Sequence, residues 1–138
     1  MIKEAATDPE ILGTFQTIRY LRPHLKEEEY LEVVRRLQLS GYRLAFAAEG
    51  GEVRCVAGFR VVESLAHGRF LYVDDLVTGE HTRSEGHGKR MLDWLVGVAR
   101  KEGCRSLQLD SGVQRYDAHR FYRREEMSTF AYHFSKAV

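Results

Sequence analysis

Around Gly41 the apolar period of the chain changes from 3.6 residues to 2. Upstream, Ile11, Phe15 and Ile18 recur at helical spacing, as do Tyr30, Val33, Val34 and Leu37. Downstream, Tyr42, Leu44, Phe46 and Ala48 alternate with other residues, as one face of a strand requires. Such a chain must lay a helical layer against a sheet. The remaining punctuation agrees with that reading. A short strand is predicted over residues 2–6. Thr7 and Glu10 then have capping-box spacing, with Pro9 tolerated in the first helical turn and Pro23 ending the run. A second helix is predicted over 26–40, with Gly41 suited to its C-terminal cap. Glu49-Gly50-Gly51-Glu52 reads as a hairpin turn between the alternating strand and a second one over 53–62. After a polar turn near His67-Gly68 comes a third strand, 70–78, apolar apart from Asp74 and Asp75. A long helix over 86–102 follows, with Met91, Leu92, Leu95, Val98 and Ala99 inward and Gly103 as its cap. A short strand over 107–110, a helix over 117–125 and a last strand complete the order. In that last strand Phe130, Tyr132 and Phe134 alternate with Thr129, Ala131 and His133. The order predicts a mixed sheet covered by helices, with a right-handed crossover at its strand–helix–strand step.

The bulk properties exclude several function classes. The 138 residues fit a single domain, 1–138, that buries roughly two-thirds of its unfolded surface. With 21 basic and 20 acidic residues, the chain lacks the positive excess of a nucleic-acid binder. No apolar run approaches the ~20 residues of a spanning helix, and no signal-peptide pattern opens the sequence. Cys55 and Cys104 are too few and too isolated for a disulfide framework or a zinc site. His24, His67, His81 and His133 show no metal-ligand spacing. The expectation is a cytoplasmic protein without a metal, a membrane segment or a nucleic-acid partner.

One loop carries a specific chemical signal. Arg83-Ser84-Glu85-Gly86-His87-Gly88-Lys89-Arg90 lies between the buried strand and the longest helix. Glycines at alternate positions let backbone approach a ligand, and a helix start offers unpaired N–H groups with a partial positive charge. Arg83, Lys89 and Arg90 add full charges, so a diphosphate suits the loop. A nucleotide-triphosphate loop would need Ser or Thr where Arg90 stands, and a dinucleotide fingerprint would need glycine where Met91 stands. The plainer alternative is a surface turn whose glycines merely cap a helix.

Arg83-x-x-Gly86-x-Gly88, preceded by Leu71-Tyr72-Val73-Asp74-Asp75-Leu76-Val77-Thr78, resembles the acyl-CoA motif of the GNAT superfamily of N-acyltransferases. Downstream, Ala118-His119-Arg120-Phe121-Tyr122 is similar to that superfamily's second signature. The resemblance spans essentially the whole chain. It implies an α+β fold with a mixed, mostly antiparallel central sheet and helices on both faces. It also implies acetyl-CoA as co-substrate, a primary amine as acceptor, and direct attack in a ternary complex. Leu76, Val77 and Thr78 would pair with the pantetheine arm through their backbone. Amides of Ser84, Glu85, Gly86, His87, Gly88 and Lys89 would hold the pyrophosphate, with Arg83 beside them. His119 and Tyr122 would sit near the thiol end or the pantetheine. A homodimer is common among such proteins. Two departures stand out. Arg115 replaces the usual Asn, and Glu126-Met127 replaces a usual Gly-Phe, where glycine would permit a left-handed helix cap. A Glu there costs roughly 1 kcal/mol.

Acyl transfer to an amine poses two proton problems, because the amine arrives protonated and the thiolate leaves. Asp74 and Asp75 are adjacent on a strand, which predicts side chains on opposite faces. Such a strand carries two carboxylates only at a desolvation cost. The functional reading makes Asp74 the base, through a water, and Asp75 the acceptor for the amine's cation; the roles are exchangeable. The structural alternative has one Asp facing solvent and the other bonded to a helix end or an Arg. Glu63 and Asp110 are reserves. Tyr122 is the candidate acid for the thiolate, against the alternative of packing, which is the role assigned to Phe121 and Trp94. Two other functions remain open: a non-catalytic acyl-CoA-binding regulatory module, and an enzyme acetylating protein rather than a small molecule.

Overall fold

The computed structural model describes residues 1–79 and 85–138. They form two compact units, Met1–Gln108 and Leu109–Val138. The first unit begins with β1 (Ile2–Glu4), α1 (Asp8–Gly13), α2 (Phe15–Ile18) and α3 (Glu27–Gln38). It continues with β2 (Arg43–Glu49), β3 (Glu52–Ser64), β4 (Gly68–Thr78) and α4 (His87–Lys101), and β5 (Ser106–Leu109) runs to its boundary. The second unit carries α5 (Tyr116–Arg124). No helix among the described residues is long and apolar enough to cross a membrane.

The strand order is β1-β2-β3-β4-β5, mostly antiparallel with one parallel pair, and helices cover the sheet. Local chemistry accounts for most of these elements. Thr7 accepts from the Glu10 amide while the Glu10 side chain takes the Thr7 amide, so the capping box starts α1. Gly50 and Gly51 both have positive φ, 62° and 80°, which a two-residue hairpin turn of matching twist demands. The single helix expected from Thr7 to Pro23 is instead two short ones. Thr14, at the break, donates its hydroxyl to the Ile11 carbonyl and pairs with Tyr30 at 2.7 Å, a competing use of the backbone.

Two apolar layers flank the sheet. On one face Ile11, Phe15, Ile18, Tyr30 and Val34 pack with Tyr42, Leu44, Phe46 and Val56. On the other, Phe59 meets Trp94 of α4 edge-on at 6.1 Å, beside the buried Met91 and Leu95. Burying side chains of this size contributes about 1.5–3 kcal/mol each before entropy is counted.

The expected last strand is absent: residues 128–138 form no strand. Phe130, Tyr132 and Phe134 are 65%, 87% and 89% exposed. Alternation predicts how side chains would divide between two faces, but a strand exists only when a neighbouring edge takes its hydrogen bonds.

Candidate functional site

The β3–β4 ladder is regular except at one point. Its register passes from Gly58↔Asp75 to Phe59↔Val73, so Asp74 is an extra residue, a β-bulge. This corrects the expectation that Asp74 and Asp75 face opposite ways. Val73 stands opposite Phe59 on the α4 face, and an unbroken alternation would put Asp75 there too. The inserted residue instead sends Asp75 to the face of α1, α2 and α3, opposite Gly58. Asp74 turns to that same face, where Arg60, one residue pair further along β3, holds it.

The cluster is built from four elements. Tyr42, just before β2, donates its hydroxyl to Asp75 Oδ2 at 2.8 Å. Arg22, beyond α2, donates Nε to Asp75 Oδ1 at 2.9 Å and an amino group to the Asp74 carbonyl at 3.0 Å. Arg60 donates Nε to Asp74 Oδ2 at 3.0 Å and lies over the Tyr42 ring, 5.6 Å from its centroid. Among the described residues, Asp75 therefore has both oxygens engaged and Asp74 one. Burial raises the Asp74 carboxyl above its ordinary value, opposed by the Arg60 guanidinium and assisted by the Asp75 charge. Burial, with the Asp75 charge, also raises the Tyr42 hydroxyl, which stays a donor.

Downstream of the bulge, Leu76, Val77 and Thr78 pair on one side with Ala57, Val56 and Cys55 of β3. On the other side, β5 begins beside the start of β4, where the Arg105 amide bonds the Arg69 carbonyl at 2.8 Å. Its four residues run out near the bulge. The second edge of Leu76–Thr78 therefore has no strand beside it among the described residues.

The glycine loop is partly visible. Arg83 and Ser84, two of the expected pyrophosphate ligands, lie outside the described residues, as does His81. Gly86 is the N-cap of α4 with φ 81°, a left-handed conformation that suits glycine. Among the described residues no side chain caps this helix at Gly86, and a helix's first turn is where backbone amides lack partners within the helix. Glu85 is exposed, and its carboxylate lies 3.2 Å from His87 Nε2. His87 is buried, and its Nδ1 accepts from Arg90 at 2.8 Å, which leaves the ring proton on Nε2 for Glu85. A cleft of about 470 Å³ borders this turn, lined by His87, Arg90 and Trp94 with Ala47 and Ala48.

His119 and Tyr122 belong to the second unit. His119 Nε2 lies 2.8 Å from the Gly112 carbonyl, and the Tyr122 ring is tilted against Phe121 at 5.4 Å. Burial raises the Tyr122 hydroxyl, opposed by Arg115, which stands where the superfamily usually has Asn. Asp110, a reserve carboxylate, pairs with His133 at 3.0 Å. The other reserve, Glu63, lies opposite Arg69 in the ladder, away from the bulge.

Tyr42, Gly58, Arg22 and Arg60 were not singled out from sequence. A signal existed for one of them, since a glycine inside an apolar strand marks a bulge or a close approach. Arg22 and Asp75 meet across 53 residues, which no local pattern reports.

The mixed sheet thus carries a carboxylate bulge on β4, and the helix that follows starts at a left-handed glycine. Residues 9–125 match the sequence model of the Acetyltransferase (GNAT) family, and the chain belongs to that family. It is 35% identical over 122 residues to the uncharacterized N-acetyltransferase YhdJ of Bacillus subtilis, covering 88% of this chain and 86% of that one. It is 32% identical over 98 residues to the aminoalkylphosphonate N-acetyltransferase of Salmonella typhimurium, covering 70% of this chain and 62% of the relative. A solved structure described as a transcriptional regulator from Bacillus halodurans superposes with a TM-score of 0.88. At 19% identity, over 100% of this chain and 99% of that one, this likeness concerns the fold alone.

Proposed function

We propose that residues 1–138 act as one catalytic domain moving an acetyl group from acetyl-CoA to the primary amine of a small molecule. The observation that carries this reading is Asp74: a half-buried carboxylate on a bulge, its pKa raised, with one oxygen that no described residue engages. The chain offers a fit for the co-substrate in the left-handed glycine that starts α4 and in the edge of Leu76–Thr78 that no strand covers among the described residues. Acetyl-CoA supplies an activated thioester. Amides of Ser84, Glu85, Gly86, His87, Gly88 and Lys89, with Arg83, bind its pyrophosphate. The backbone of Leu76, Val77 and Thr78 lines the pantetheine arm. Asp74, through a water, accepts the proton that the ammonium must lose before nitrogen attacks the carbonyl carbon. An N–H of Leu76 or Val77 stabilises the oxygen that gathers charge. Tyr122, held protonated by burial, donates a proton to sulfur as the carbon–sulfur bond breaks. Asp75 acts as a fixed negative charge that attracts the amine's cation, its position set by Tyr42 and Arg22. The Salmonella relative, named for aminoalkylphosphonate, supports a small amine as acceptor.

The test is thermal. Acetyl-CoA should raise the melting temperature, since a ligand bound only by the native state stabilises it. Gly88→Asp should abolish that rise by placing a side chain and a negative charge at the pyrophosphate. A folded Gly88→Asp protein with wild-type acetyl-CoA binding would remove the loop from the site.

A further inference from the structure

Among the described residues, the bulge cluster keeps two groups of opposite charge unspent. Asp74 accepts through Oδ2 alone, which leaves Oδ1. Arg60 donates through Nε alone, which leaves both of its amino groups. The two side chains are 25% and 27% exposed, enough for a ligand to reach and little enough for charge to matter. Arg60 is also held in place, by the Asp74 bond and by the Tyr42 ring beneath it. A guanidinium fixed through Nε presents its two amino groups as a planar fork, which matches the paired oxygens of an acid. The other ion pair of the cluster is closed, because Asp75 has both oxygens occupied by Tyr42 and Arg22.

We propose that the acceptor is a zwitterion, a short-chain amino acid or aminoalkyl acid, whose acidic group binds the amino groups of Arg60 while its amine faces Asp74. The proposal rests on the acetyltransferase reading above and adds the acceptor's second charge to it. Carboxylate and phosphonate share the chemistry, since each offers Arg60 two coplanar oxygens. A simple cation suits the cluster less well, because the Arg60 charge lies beside the carboxylate that would receive it. The short reach from Arg60 to Asp74 restricts the acceptor to an amine and an acid separated by a few bonds.

The experiment compares β-alanine and 2-aminoethylphosphonate with n-propylamine, reading thiol release at saturating acetyl-CoA. The wild-type protein should favour the two acidic amines in kcat/KM by about tenfold or more, as expected for a charge-assisted bond. Arg60→Met should lower turnover of all three amines, because Arg60 also holds Asp74, and beyond that common loss should erase the preference for the acidic ones. Arg60→Lys, which keeps the charge but not the fork, should restore only part of it. Equal use of n-propylamine and the acidic amines by the wild-type protein overturns the proposal, even if no variant folds. Equal losses on all amines in Arg60→Met overturn it too, since Arg60 would then act only through Asp74. If acetyl-CoA binds and none of the three amines is acetylated, the zwitterion is overturned, while the family assignment stands on its own evidence. If n-propylamine alone is acetylated, the enzyme reading stands and only the zwitterion is lost.

Discussion

The hydroxyl of Tyr42 occupies the space that a Cβ on Gly58 would fill. Tyr42 lies at the start of β2 and Asp75 on β4, with β3 between them, so the phenol reaches its carboxylate by crossing over Gly58. Glycine is required there for that crossing. Gly58→Ala should expel the Tyr42 hydroxyl from Asp75 and destabilise the protein by about 1–3 kcal/mol, as overpacking does. Turnover should fall with it. Unchanged melting temperature and unchanged turnover would sink the assignment of Gly58 as the bridge.

Asp74 sets a pH dependence with a defined sign. Burial raises its folded pKa above the ordinary 3.8, so just above that value the folded protein holds more protons than the unfolded one. Stability should therefore decline as pH rises through that window. Asp74→Asn should flatten the decline in urea titrations run at a series of pH values. In kinetics, the acidic limb of kcat/KM should lie above 3.8 in the wild-type protein. The variant should recover most at high pH, where the amine is already neutral. A variant with an unaltered pH–rate profile rules Asp74 out as the base.

Tyr122→Phe keeps the ring that packs on Phe121 and removes only the hydroxyl. Turnover at saturating acetyl-CoA should drop toward the low end of the ~10²–10⁴-fold range for a lost acid, because a thiol is acidic enough to leave with little help. Acetyl-CoA affinity and melting temperature should stay near wild type. Full turnover in the folded variant would leave Tyr122 as packing.

Glu126 has φ 66°, the left-handed conformation at which the superfamily usually has glycine. The Glu126 amide bonds the Arg123 carbonyl and the Met127 amide bonds that of Tyr122, so α5 ends in a left-handed cap without the residue that favours one. Glu126→Gly should stabilise the protein by roughly 1 kcal/mol, seen as a higher melting temperature. A lower melting temperature would mean that the Glu126 side chain contributes more than its backbone strain removes.

The contrast between what sequence revealed and what it did not follows from the range of the forces involved. The Thr7–Glu10 capping box, the Gly50-Gly51 turn and the inward face of α4 are set by neighbours within a few residues, so their signals are local. Asp74 was legible as a charge out of place in an apolar strand. Its bulge was not, because register is decided by the pairing of β3 with β4 and leaves no period in either strand alone. The partners of Asp75, from 33 and 53 residues away, were hidden for the same reason. Phe130, Tyr132 and Phe134 gave the opposite error, a strong local pattern for a ladder that the structure does not form.

Asp74 is also the one residue of β4 that the ladder does not count. On either side of it, Val73 and Asp75 are in register with consecutive residues of β3, Phe59 and Gly58. Deleting the Asp74 codon would therefore leave both halves of β4 in their existing frames, every other side chain keeping its face. The sheet closes over the gap, and the proposed base goes with the codon. On the proposed reading, a single in-frame deletion removes the base and leaves the frame of the thioester's site in place.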